Sequence, residues 1–150
     1  MQLTIKDIKI HVLCMDIPET WKHLFGEGAK RYMGVLRVIS NEGLEGHAFV
    51  GSSVTATHRR ILPIVENIKP FLVGQNALDR ERHWHEMRRL ASRWDILDAS
   101  IMGVDVALWD LCAKAAGIPL YQFMGAYNNK VPVYGSGRFH ATGEATGEEA

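Results

Sequence analysis

Residues 96–116, ILDASIMGVDVALWDLCAKAA, constrain the fold of this chain more than any other stretch. The run has the composition of a helix, and Gly117 and Pro119 end it. At about 100° per residue its polar side chains fall into two narrow stripes. Asp98 and Asp105 form one; Ser100, Asp110 and Lys114 form the other, roughly opposite. The residues between them are almost all apolar, so the helix must be covered on two flanks. Asp110 and Lys114 stand at i,i+4 in the favourable order, worth about 0.2–0.5 kcal/mol. Asp105 is harder to place, because a carboxylate on a mostly buried helix needs a cation or several donors. The arginines and lysines that precede it predict a structural ion pair.

The first cover is legible upstream. Ile8, Ile10 and Val12 alternate with Lys9 and His11, which predicts a strand over 3–13. Leu3 and Ile5 are out of phase with Ile8, so a bulge is expected at Lys6–Asp7. Residues 35–50 read as a hairpin, with strands Val35–Ser40 and Leu44–Val50 around the turn Asn41–Glu42–Gly43. Three strands in succession predict an antiparallel meander. Between the first strand and the hairpin, residues 16–34 show no period and are punctuated by Pro18, Gly26, Gly28 and Gly34, which predicts a long loop. A second, small and polar loop is expected at 51–58.

Helices follow. Ile61, Ile64, Val65, Ile68 and Leu72 share helical spacing, with Pro63 and Pro70 as kinks and Gly74 as the stop. Asp79 is the expected cap of a second helix with Trp84, Met87, Leu90 and Ala91 inward. Strands followed by helices predict an α+β unit: a meander and then a helical bundle. The second cover for helix 96–116 is not evident in these elements. Val131–Tyr134 reads as a strand, and Thr146 with Glu149 makes a capping box, the opening of a further helix. Half of a βαβ unit predicts that the 150 residues are part of a longer chain; a frayed tail is the alternative.

Composition excludes several classes. Lysines plus arginines equal aspartates plus glutamates, so no charge imbalance recruits nucleic acid. No apolar run reaches membrane-spanning length. The start, MQLTIKDIKI, is charged and alternating and is no signal peptide. Cys14 and Cys112 lie far apart without a cysteine framework, which predicts reduced thiols and a cytoplasmic protein. His83 and His85, if helical, point about 200° apart and cannot share a metal; they read as surface or ion-pair histidines. No cysteine–histidine set has zinc spacing. GEGAKR at 26–31 lacks the phosphate-loop pattern.

The stretch 99–125 resembles the signature of the mandelate racemase / muconate lactonizing enzyme group of the enolase superfamily. The matching residues are Ala99, Ser100, Asp105, Ala107, Leu108, Trp109, Asp110, Lys114, Gly117, Pro119, Leu120 and Gly125. The resemblance extends over the preceding meander and helices, and VPVYGSG resembles the first strand of that family's barrel. It implies a capping domain over 1–125 and, over 126–150, the start of a (β/α)7β barrel. It implies a magnesium ion held by three carboxylates, and bases that remove the proton α to a carboxylate, as in racemases and acid-sugar dehydratases. Those groups come from later barrel strands, so no residue here is expected to be catalytic or a metal ligand. Cycloisomerases and dipeptide epimerases share the pattern. A stand-alone α+β interaction module is the reading from another class.

What the resemblance carries onto this chain is a lid. The loops at 16–34 and 51–58 are expected to close over the barrel mouth and set substrate preference. Trp21, His23 and Phe25 are the candidate substrate contacts, with Lys22 placed to meet a carboxylate or hydroxyls. Ser52 and Thr55, in the second loop, are further candidates. Trp21 and Phe25 have a second possible role, pinning the loop to the cap. Ser136 and Arg138 follow the expected first barrel strand and face either substrate or solvent. The expected partner is a small-molecule carboxylate, and the resemblance implies a homo-oligomer.

Overall fold

The computed structural model describes residues 2–134 except 18, 20, 21, 27, 28 and 54–56, with backbone alone for 24, 25, 51–53 and 57–59. Three strands, β1 (Ile5–Asp16), β2 (Lys30–Ser40) and β3 (Glu45–Ser53), form one antiparallel sheet in that order. The predicted bulge is present: the β1–β2 register shifts between Ile5 and Asp7. It brings Ile5 and Ile8 onto the same buried face, because an extra residue reverses the alternation. Asp7 fills the bulge, accepting from the Ile8 amide at 2.8 Å and from Lys69 Nζ at 2.6 Å. The hairpin turn closes as expected, with Gly43 at φ 82° donating its amide to the Ser40 carbonyl.

The first loop is shorter than the sequence suggests. β1 continues to Asp16 and β2 begins at Lys30, so the two strands form a long arm. Its pairing was hidden because alternation appears only where one face is buried; His11–Asp16 are exposed on both faces. Likewise β3 continues through Ser53 and the next helix starts at Thr57.

Helices cover one face of the sheet. α2 (Thr57–Pro63) runs into a π-helical turn (Ile64–Ile68) and then α3 (Lys69–Leu72). This is how the chain absorbs its two prolines. The Pro70 ring crowds the preceding turn, and Lys69 N–H bonds the Ile64 carbonyl five residues back. α4 (Arg80–Trp94) packs Met87 and Ala91 inward. Asp79 precedes it but makes no side-chain cap, because its carboxylate is engaged by Arg82 at 3.0 Å and reached by Asn76 Nδ2.

α5 (Asp98–Ala116) is the central helix, and Gly117 at φ 69° ends it. Ile101, Val104, Ala107, Leu108 and Leu111 are fully buried against Leu36, Val38 and Val50 of the sheet. Each such side chain contributes about 1.5–3 kcal/mol. Ser100, expected on a polar stripe, is buried; its hydroxyl donates to the Arg60 carbonyl at 2.8 Å and ties α5 to α2. The second flank is uncovered among the described residues: Met102 and Val106 are 56% and 50% exposed. Trp94, the last residue of α4, is likewise exposed, at 61%.

A short helix, α6 (Leu120–Phe123), follows. The predicted strand at Val131–Tyr134 has no pairing here, and Val133 and Tyr134 are almost fully exposed. A barrel strand takes its hydrogen bonds from neighbours, so it has no reason to form alone.

Candidate functional site

The sheet register brings the two expected lid segments to one place. Asp16 pairs with Lys30, and Tyr32 pairs with Ser53. The connection between β1 and β2 and the connection after β3 therefore spring from the same end of the sheet. Ser52 sits one rung before that last pair, opposite Met33, in β3 rather than in a loop. Within the first connection, α1 (Lys22–Phe25) makes a single turn. Gly26, at φ 89°, ends it by donating its amide to the Lys22 carbonyl at 2.7 Å. Ile17 is buried and anchors the base of this segment.

Lys22 does not project freely. Its ammonium lies 2.5 Å from Glu19, a partner whose i,i+3 acid–base spacing is visible in the sequence. His23, next along α1, is exposed. At the neck, Lys30 and Asp16 stand 4.0 Å apart across the arm. Phe25 lies in α1 by its backbone. Trp21, Thr55, Ser136 and Arg138 fall outside the described residues, as does the predicted capping box at Thr146 and Glu149.

Toward the opposite end of the sheet, where β3 starts, α5 carries a second polar group of residues. Arg80 stacks on Trp109, its guanidinium carbon 3.2 Å from the ring centroid, and Phe123 meets Trp109 edge to face at 5.8 Å. The expected ion pair of Asp105 takes a different form. Burial pushes its carboxyl above the usual range; Arg80 opposes this through space, and the Trp109 side chain hydrogen-bonds it. Arg80 stays on the aromatic face instead of closing on the carboxylate. Asp110 and Lys114 do form the predicted pair, at 2.6 Å. Burial raises the Asp110 carboxyl, but Lys114, the His47 amide and the His47 ring together bring it below the usual range.

His83 corrects the surface reading: it is fully buried, with Nε2 2.8 Å from the Asn76 carbonyl. His85 is exposed, so the two rings do point apart. Burial pushes the Cys112 thiol up, away from nucleophile chemistry. Among the described residues no group of three or more His, Cys, Asp or Glu could hold a metal ion, and no helix is long and apolar enough to cross a membrane.

Comparison with known proteins adds the following. Residues 11–125 match the model of the mandelate racemase / muconate lactonizing enzyme N-terminal domain. The chain is 36% identical over 115 residues to the D-galactonate dehydratase family member RspA of Halomonas elongata, covering 73% of this chain and 27% of that protein. It is 35% identical over 121 residues to D-mannonate dehydratase of Rhizorhabdus wittichii, covering 77% and 29%. Its fold is similar to a mandelate racemase/muconate lactonizing enzyme from a marine actinobacterium, solved in complex with magnesium. That match has a TM-score of 0.65 and 27% identity, over 85% of this chain and 34% of that one. The chain thus spans less than a third of the length of these two curated relatives.

Proposed function

Because the chain belongs to the mandelate racemase / muconate lactonizing enzyme family, as its N-terminal domain, we propose that it caps an enzyme that removes the proton α to a carboxylate, of the acid-sugar dehydratase or racemase type. The observation that carries this reading is the convergence of the two connections, 17–29 and 54–56, at one end of the sheet. A segment whose base is held by Ile17 and the Asp16–Lys30 neck can close over a site it does not itself contain. Closure excludes water and strengthens the charges enclosed. In this role Trp21, His23 and Phe25 contact substrate. Lys22, held by Glu19 until then, meets the carboxylate or hydroxyls, and Ser52 and Thr55 complete the rim.

The uncovered flank of α5 supports the same reading. Met102 and Val106 are apolar and exposed, as a face that seats a second body would be. That body is a barrel beginning within 126–150, with Ser136 and Arg138 at its active end. The described residues do not fit a magnesium site, so the metal's carboxylate ligands belong elsewhere in such an enzyme. The small-molecule carboxylate partner, the homo-oligomer and the cytoplasmic location belong to this proposal as well; Cys14 and Cys112 as free thiols support the last.

The test is steady-state kinetics of the complete enzyme across a panel of sugar acids. Trp21→Ala and His23→Ala should change the ratio of kcat/KM between substrates at least about tenfold, roughly 1.4 kcal/mol, while the melting temperature holds. An unchanged substrate ranking in both variants would overturn the lid assignment.

A further inference from the structure

The sheet has two edges, and the protein treats them differently. The edge of β3 is covered by α5: Asp110 accepts the His47 amide at 2.8 Å, and Lys114 Nζ donates to the Glu45 carbonyl at 2.9 Å. The edge of β1 is covered only at its start. There Ile5 N–H bonds the Gln75 carbonyl, Gly74 N–H bonds the Ile5 carbonyl, and Ala77 N–H bonds the Leu3 carbonyl. Among the described residues nothing bonds the outer edge of β1 from Ile8 to Asp16. That edge has no register shift, lacks proline, and exposes Val12, Leu13 and Met15 at 49%, 51% and 44%. Soluble proteins rarely leave such an edge open.

We propose that this edge, Lys9–Asp16, pairs antiparallel with the same edge of a second copy of the chain, giving a continuous six-stranded sheet. The charges select that partner and that direction. Within KIHVLCMD the two formal charges are Lys9 at one end and Asp16 at the other. Antiparallel self-pairing brings each positive end toward the partner's negative end; a parallel pair would bring like charges together. The interior of the segment has no charge to oppose itself. A two-fold axis normal to the sheet, at Val12 or Leu13, keeps like faces together. The exposed Leu13 and Phe49, with the half-buried Val35 on the same outer face, then merge with those of the partner. α5 lies over β3 and β2, away from this edge, and α3 meets β1 only near its start, at Asp7. The inference deepens the homo-oligomer reading above by naming its surface.

Sedimentation velocity over a concentration series tests it, on this chain and on the complete enzyme. The expected result is a concentration-dependent dimer that Leu13→Lys weakens at least tenfold at an unchanged melting temperature. Asp16→Lys should weaken it also, and Lys9→Asp combined with Asp16→Lys should restore it, since the pair is then reversed in both copies. With Cys14→Ser, either Val12→Cys or Leu13→Cys should yield a disulfide-linked dimer under mild oxidation. A monomer at every concentration overturns both the edge and the homo-oligomer. A dimer indifferent to Leu13→Lys and to the charge reversal overturns the edge alone. Neither result touches the lid, which the substrate ranking judges.

Discussion

Gly46 of β3 lies against the backbone of Ala107 on α5 with no space for a methyl group between them. A Cβ at Gly46 would strike the Ala107 carbonyl oxygen and stand 2.7 Å from both the amide nitrogen and the Cβ of Leu111. One α5 turn earlier, Gly103 meets a side chain instead, Cγ1 of Val50. The helix thus reaches the sheet through two glycines on opposite partners. Gly46→Ala should cost about 1–3 kcal/mol or more, since backbone must move. Gly103→Ala should cost less, because one valine methyl can shift. Urea unfolding of both variants checks the order.

His83 is a structural residue by its contacts. It is sealed in the core, edge-on to Phe71, with Nε2 donating to the Asn76 carbonyl. The Asn76 side chain in turn accepts the Leu3 amide at 3.0 Å and the Leu78 amide at 3.3 Å. His83→Leu keeps the volume but leaves that carbonyl with the Asp79 amide alone, at 3.1 Å, and should cost about 0.5–1.5 kcal/mol for the lost hydrogen bond. Hydrogen exchange at Leu3 should accelerate with it.

Acid should loosen ion pairs within the sheet and between the sheet and the helices. Asp7 is held below the usual carboxylate range first by the Lys69 hydrogen bond, Glu45 by that of Arg37, and Asp110 by Lys114 and His47 against the pull of burial. Each carboxyl is more acidic folded than unfolded. Its contribution is complete above the unfolded value, about 4, and is lost as pH falls through the folded one. Melting temperature should therefore drop below about pH 4, and Asp7→Asn should flatten part of that drop.

Asp105 carries the opposite sign. Burial raises its folded pKa above the unfolded value, so the folded state binds the extra proton and stability declines as pH rises through that window. Asp105→Asn should remove this decline, leaving a flatter profile on the neutral side of pH 4. A variant as steeply pH-dependent there as the parent would contradict the assignment.

Much of the fold was legible because it follows from local pattern. The phase error at Lys6–Asp7 announced the bulge, and Asn41–Glu42–Gly43 the turn. Gly117 announced the end of α5, and Asp110 with Lys114 an i,i+4 pair. What was illegible depended on neighbours. The arm at 14–16 and 30–34 lacked alternation because no core lies along its tip. His83 looked like a surface residue because its partner carbonyl, Asn76, is recognisable only once β1 and α4 meet. Asp79 has the chemistry of a cap, and Arg82 claimed it.

The sequence by itself determined the order of elements, the apolar flanks of helix 96–116 and the family signature, because periodicity and turn chemistry act within a few residues. The tertiary structure decided which carboxylates are held low and which is raised, where Arg80 rests, and which sheet edge is left open. Those outcomes depend on burial and on partners far away in the chain, such as Glu45 for Lys114 and Asn76 for Leu3.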